Sequence, residues 1–366
     1  MFQNWLKPID PNTFLSEKLR NFQFGEKIQV HSKSINKLDA AKIAIIGFEE
    51  EASNHIRQEL YQMSSPFAKN KVVDLGNVRK KEISFTIPLL KELLDSGILP
   101  IVLSAEPKSV LAQYKALKRC QPSINMVRID ERFRFDLKEK DKKQYFLNEI
   151  IFGKRSKLFN LGLIGPQTHY VNPKLFDFLE QQHFDCVRLG NAKANLAELE
   201  PVIRDGDLLS FDLSALKRSE APEQLNANPS GFTSEEACQI CRYAGMSDKL
   251  KAFGIFGYEH FSEGCISAQV MAQMIWYFID GYFNRKGDFP ASTDGLIEYL
   301  VDFKDLDKPI TFWKSKKSSR WWMQVQVKTN KKIQQHRLIP CSYNDYKRAS
   351  QQELSPRLFN AYQRFL

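Results

Sequence analysis

The sequence predicts a three-layer α/β/α protein, an eight-stranded and mostly parallel sheet with helices on both faces, followed by a basic C-terminal extension. Three observations carry this. Short β-rich runs alternate with segments of helical length along most of the 366 residues, the pattern of parallel sheets covered on both sides. The runs are mostly continuously apolar, as strands buried on both faces require. The excess of positive charge is confined to the end of the chain.

In order, the strand runs are KIAIIGF (42–48), KVVDLGN (71–77), ILPIVLSA (98–105), SINMVRID (123–130), FNLGLIGP (159–166), FDCVRLG (184–190), DLLSFDLSA (207–215) and LKAFGIFGYE (250–259). Segments such as SFTIPLLKELLDSG and PKSVLAQYKALKRC fit helices between them. In GFTSEEACQICRYAG, Thr233 and Glu236 form a capping box that starts a helix, and Gly245 can end it. The last unit closes with the long helix ISAQVMAQMIWYFIDGYFNRKG. Beyond it, ITFWKSKKSSRWWMQVQVK reads as two strands around a polar turn, and LSPRLFNAYQRFL as an amphipathic helix. The expected division is an N-terminal extension (1–40), an α/β/α domain (41–288) and a basic extension packing on it (289–366).

Composition narrows the function classes. With 43% apolar and 26% charged residues the chain is a folded protein and not a disordered one. The longest apolar-rich run, AQVMAQMIWYFI, is too short to span a bilayer. The start, MFQNWLKPIDPNTF, has no apolar signal core, so a cytoplasmic protein is expected. Six scattered cysteines argue for reduced thiols. Residues 304–366 hold 14 basic and 4 acidic side chains, while the preceding chain holds 39 of each. The body is neutral and the tail is basic.

Several strand ends resemble those of the arginase/agmatinase/formimidoylglutamase (ureohydrolase) family. SFDLSALKRSEAP, followed by NPSGFTSEEACQICRYAG, is similar to the family's Ser-Phe-Asp-x-Asp segment and its Pro-x-Gly-Gly-Leu-Thr-x-x-Glu helix start. DLGNV resembles Asp-Leu-Gly-Asp-Val, and ILPIVLSAEPKSVLAQYKAL resembles Pro-Ile-Val-Leu-Gly-Gly-Asp-His-Ser. IDERFRFD falls where the family has Asp-Ala-His-x-Asp, and FGYE places Glu259 where a glutamate follows the last strand. The likeness covers about residues 40–285, with formimidoylglutamases nearest in order and spacing.

The resemblance implies a pair of Mn²⁺ ions that ionise a bridging water, which needs oxygen and imidazole ligands. Carried over position by position, the family's ligands fall on Pro107, Asp130, Arg132, Arg134, Asp212 and Ser214, so only Asp130 and Asp212 retain a carboxylate. Arginine does not deprotonate in proteins. Near a dication each guanidinium is repelled by about 8 kcal/mol at 4 Å and an effective dielectric of 20. The expectation is a rebuilt pocket of Glu106, Asp130, Arg132, Arg134, Asp212, Ser214 and Glu259, with arginine in place of metal and no cofactor. The function expected is then a non-catalytic binding or assembly protein. The alternative is a Mn-dependent hydrolase of a formimidoyl or guanidinium C–N bond with an atypical site, and Glu106, Glu131, Asp136 and Glu259 could supply oxygens to a single metal.

Other features carry less. Cys238 and Cys241 sit within a helix and lack a second pair, so small apolar residues on one helical face is the better reading than zinc. His169 is a loop histidine without a visible partner. Gly162 and Gly165 lack the rest of a dinucleotide fingerprint. The tail, with Trp313, Trp321 and Trp322 among lysines, has two readings: a nucleic-acid arm, or a hairpin packed on an acidic patch of this chain or of a second subunit. Packing is favoured because no nucleic-acid module accompanies the charge. Self-association is expected from the resemblance, with any other partner or small molecule unknown.

Overall fold

Each of the eight apolar runs forms a strand in the computed structural model, which describes residues 4–32, 38–138, 141, 143–259, 266–290, 292–304, 309–327 and 335–365. Two short strands come first, β1 (Leu6–Lys7) and β2 (Gln29–Val30). The eight follow as β3 (Ile43–Gly47), β4 (Val72–Val78), β5 (Leu99–Ser104), β6 (Ile124–Ile129), β7 (Leu158–Ile164), β8 (Asp185–Val187), β9 (Leu208–Asp212) and β10 (Ala252–Phe256). Their order across the sheet is β1-β4-β3-β5-β10-β9-β6-β7-β8, with β2 also on β4. Among the described strands of this sheet only β1 runs antiparallel. The expected eight strands thus become ten, because two-residue strands are too short to leave a periodic signal.

Period-two alternation divides the core into two layers. Ile43 and Ile45 face one cluster with helices Glu50–Gln62, Ser234–Gly245 and Ile266–Phe283. Ala44 and Ile46 face the other, with helices Ile83–Asp95, Val110–Cys120 and Lys174–Gln181. Thr233 and Glu236 make the reciprocal capping box at the start of Ser234–Gly245. Gly245 is needed for a different reason than ending the helix. A Cβ there would meet the Phe278 carbonyl oxygen at 2.0 Å, and one at Gly281 would meet the Arg242 oxygen at 2.3 Å, so the two helices cross backbone to backbone.

The chain beyond the last long helix builds more than a hairpin. β11 (Leu296–Val301), β12 (Ile310–Ser315), β13 (Trp321–Val327) and β14 (Gln335–Cys341) form an antiparallel sheet, with helices Tyr343–Ser350 and Pro356–Phe365 after it. One face shares a core with those helices around Phe312, Trp321, Met323 and Leu358.

Arginines join this extension to the body. The Arg204 guanidinium donates to the carbonyl oxygens of Trp321 (3.1 Å) and Cys341 (3.2 Å) and lies 4.5 Å from the centre of the buried Trp322 ring. In return Arg320 pairs with Glu200 (3.2 Å), Arg357 with Glu198 (3.3 Å) and Arg364 with Asp185 (3.4 Å). The basic tail therefore meets acidic side chains of its own body. No helix among the described residues is long and apolar enough to cross a membrane.

Arg204→Ala removes two buried hydrogen bonds and a cation–π contact at once. We expect the extension to lose about 2–4 kcal/mol of docking stability, read as faster proteolytic release of residues 289–366 from an intact body. Release at the wild-type rate would show that Arg204 does not hold the extension.

Candidate functional site

Register places two acids side by side. Arg128 of β6 and Asp130, the residue just past its end, are two residues apart and share a face. On the adjacent parallel β9, Ser210 and Asp212 do the same, with Arg128 opposite Ser210 and Ile129 opposite Phe211. Continuing that register brings Asp130 next to Asp212 at the carboxyl ends of the strands, where open α/β sheets hold their sites. Like charges so placed repel. Both carboxylates are almost fully buried.

Two guanidinium groups resolve the conflict. Arg128 donates to Asp130 Oδ2 through Nε (3.0 Å) and Nη2 (2.5 Å), to Asp212 Oδ2 (2.6 Å) and to Ser210 Oγ (2.6 Å). Arg134 donates to Asp130 Oδ2 (2.8 Å) and Oδ1 (3.1 Å), and lies 3.6 Å from Asp212 Oδ2. Ser214 Oγ donates to Asp130 Oδ1 (3.1 Å), and the Ser214 backbone N–H donates to Asp212 Oδ1 (3.0 Å). Every carboxylate oxygen is satisfied, as a buried ionic group requires.

The loop after β6 explains how Arg134 is aimed. Phe133 and Phe135 stack on each other at 5.4 Å and pack on Phe176 and Phe178 of helix Lys174–Gln181. With these rings anchored, Arg134 turns back into the carboxylates. Arg132 goes elsewhere. It pairs with the buried Glu131 at 2.5 Å and lies 4.9 Å from the Tyr170 ring centre, and only its backbone N–H reaches Asp130 (3.2 Å). Glu131 also accepts from Asn228. Of the two arginines in the loop, Arg134 lies within salt-bridge distance of both Asp130 and Asp212, while Arg132 pairs with Glu131. Arg128 is the second guanidinium at the carboxylates.

Burial disfavours the charged form of Asp130, but Arg134 and Arg128 outweigh it and hold its carboxyl at about 2. Burial likewise works against the Arg134 charge, yet Asp130 and Asp212 raise its pKa above the ordinary value. A second buried pair lies across the sheet. Arg57, fully buried, donates to Asp74 through Nε (2.9 Å) and Nη2 (3.1 Å), and Tyr61 adds its hydroxyl (3.1 Å). This is the aspartate of DLGNV.

Glu106 and Glu259 lie apart from the arginine cluster. With Glu49, Glu50, Glu51 and Lys81 they line an acidic cleft of about 490 Å³ over the ends of β3, β5 and β10. Glu106 pairs with Lys108 at 2.7 Å, and Pro107 opens a 3-10 turn. Asp136 accepts from the Lys138 backbone in a turn (2.9 Å). His169 is exposed against Tyr170. Cys238 and Cys241 face the core of their helix, and burial raises both thiol pKa values.

The donor set does not fit a Mn²⁺ pair. Around Asp130 and Asp212 the other described side chains within bonding distance are arginine and serine, and among the described residues no imidazole joins them. Among the described residues no group of three His, Cys, Asp or Glu side chains could hold a metal.

No protein-family model and no curated protein matches the chain. Solved structures share its fold. Mn²⁺-bound formiminoglutamase from Trypanosoma cruzi superposes with a TM-score of 0.60 at 18% identity, covering 69% of this chain and 97% of that one. Formimidoylglutamase from Bacillus subtilis gives 0.61 at 14%, covering 74% and 95%. Agmatine ureohydrolase of Thermoplasma volcanium gives 0.55 at 16%, covering 68% and 92%. At these identities the likeness is one of fold, the α/β/α architecture of arginase-superfamily ureohydrolases.

Two outcomes follow from the buried network. Arg128→Ala leaves Asp130 and Asp212 short of a counter-charge, and should cost about 3–5 kcal/mol in urea unfolding; a loss under about 1 kcal/mol would mean the pair is not coupled to folding. Because the folded pKa of Asp130 lies below its ordinary value, protons favour the unfolded chain. The stabilisation is complete above about pH 4 and is lost as pH falls toward 2, by roughly 2 kcal/mol. Unfolding curves from pH 5 to pH 2 measure this.

Proposed function

We propose that the chain is a cytoplasmic, non-catalytic protein of the ureohydrolase fold, a binding or assembly protein with a body of residues 41–288 and a basic extension of 289–366. One observation carries the reading: Arg128 and Arg134 seat their guanidinium groups between Asp130 and Asp212. A divalent ion entering there would have to displace two buried cations from their hydrogen bonds while being repelled by both. Neither arginine can yield by losing a proton. What the residues provide is a closed, neutral cluster of two acids and two bases, suited to holding strand ends together. Self-association fits a chain whose fold is kept and whose site is closed.

The test is metal stoichiometry with activity. After incubation with Mn²⁺ and removal of free ion, the purified chain should hold well under one manganese, melt at an unchanged temperature and release no ammonia or formamide from formimidoylglutamate. Two retained Mn²⁺ per chain with turnover would assign it instead to the metal-dependent hydrolases that cleave formimidoyl or guanidinium C–N bonds.

A further inference from the structure

We propose that a cavity between the body and helix Pro356–Phe365 binds a small ligand with a flat apolar body and one anionic group, an aromatic carboxylate or sulfonate in class. The cavity measures about 390 Å³, within the range of small-molecule sites. Phe176 of helix Lys174–Gln181, Phe184 before β8 and Phe359 of the terminal helix line it with three rings. Phe359 remains 47% exposed although its helix is docked. Apolar surface is thus left open at a junction that is otherwise closed.

Arg188, directly after β8, supplies the charge. Its guanidinium carbon lies 4.3 Å from the Phe176 ring centre. A guanidinium stacked by its face keeps its N–H edges free to grip an anion bidentately. The other arginines of this junction, Arg357 and Arg364, each hold a carboxylate. Among the described residues no carboxylate lies within salt-bridge distance of Arg188. Cys186 adds no negative charge, since burial pushes its thiol up to about 12. Glu180 and His183 are the remaining ionisable groups of the wall, and Glu180 is exposed to screening water. A ligand here touches both body and extension, so its binding would also hold the terminal helix in place.

The probe is 8-anilino-1-naphthalenesulfonate, titrated by fluorescence into the full chain beside the neutral N-phenyl-1-naphthylamine. Expected is one saturable site per chain for the anion, roughly tenfold weaker in Arg188→Gln, with neutral-probe binding unchanged. Phe359→Ser should weaken both probes. An Arg188→Gln curve that overlays the wild type, or binding that never saturates, overturns the proposal. A readout free of substitutions accompanies these. Benzoate should displace the anionic probe from the unaltered chain at lower concentration than benzyl alcohol does, and equal displacement by the two overturns the proposal as well.

Discussion

Two carboxylates fixed side by side at the ends of adjacent parallel strands set the terms for the rest of this molecule. Asp130 and Asp212 are placed by the β6–β9 register, and buried acids in contact cannot both stay ionised without nearby positive charge. In metal-dependent proteins that charge is a cation. Here it is a pair of guanidinium groups on the same chain, one inside the strand and one in the loop beyond it. Much of the local architecture serves their placement. The phenylalanines of the loop turn Arg134 inward, Ser210 and Ser214 take up the remaining donors and acceptors, and Phe146 lies 5.1 Å from the Arg128 guanidinium carbon.

The same device occurs at Asp74, where Arg57 comes from a helix on one face of the sheet. Gly76 has a φ of +83°, and a Cβ there would strike the Lys7 carbonyl oxygen at 2.3 Å, so glycine lets β1 approach while its N–H caps Asp74 at 2.9 Å. Buried ion pairs of this kind gain little net stability over apolar packing, because desolvation offsets attraction. Their effect is directional. Each fixes which strand ends meet, and a one-residue slip would leave a buried charge alone.

The C-terminal extension follows the same logic at the surface. β8 is an edge strand of the main sheet, and open edges invite pairing with other chains. Arg364 reaches Asp185 on that strand and Asn160 of β7 donates to the same carboxylate at 2.8 Å, so the terminal helix is tied to the edge. Arg204 and Arg320 tie the second sheet to the helical layer. The positive charge of the tail is spent in part on these contacts, which distinguishes it from an arm whose cations all face solvent.

The sequence by itself determined the layer architecture. Continuous apolar runs cannot be solvated on either face, so the eight strands and their covering helices were legible, as was the capping box at Thr233, which depends on residues three apart. The short strands β1 and β2, and the pairing of β11 and β14 with the hairpin, were not, because they depend on distant partners. The resemblance at strand ends pointed to Asp130, Asp212 and Ser214 as neighbours in a site. It could not tell Arg132 from Arg134, which are equivalent in one dimension, and it overlooked Arg128, which reads as a lone charge in an apolar strand. The signal was present in the i, i+2 spacing of Arg128 with Asp130 and of Ser210 with Asp212. Only the register of β6 against β9 makes those two spacings one cluster. Only the packing of Phe133 and Phe135 decides which arginine turns in, since side-chain direction in a loop is set by what its neighbours can bury.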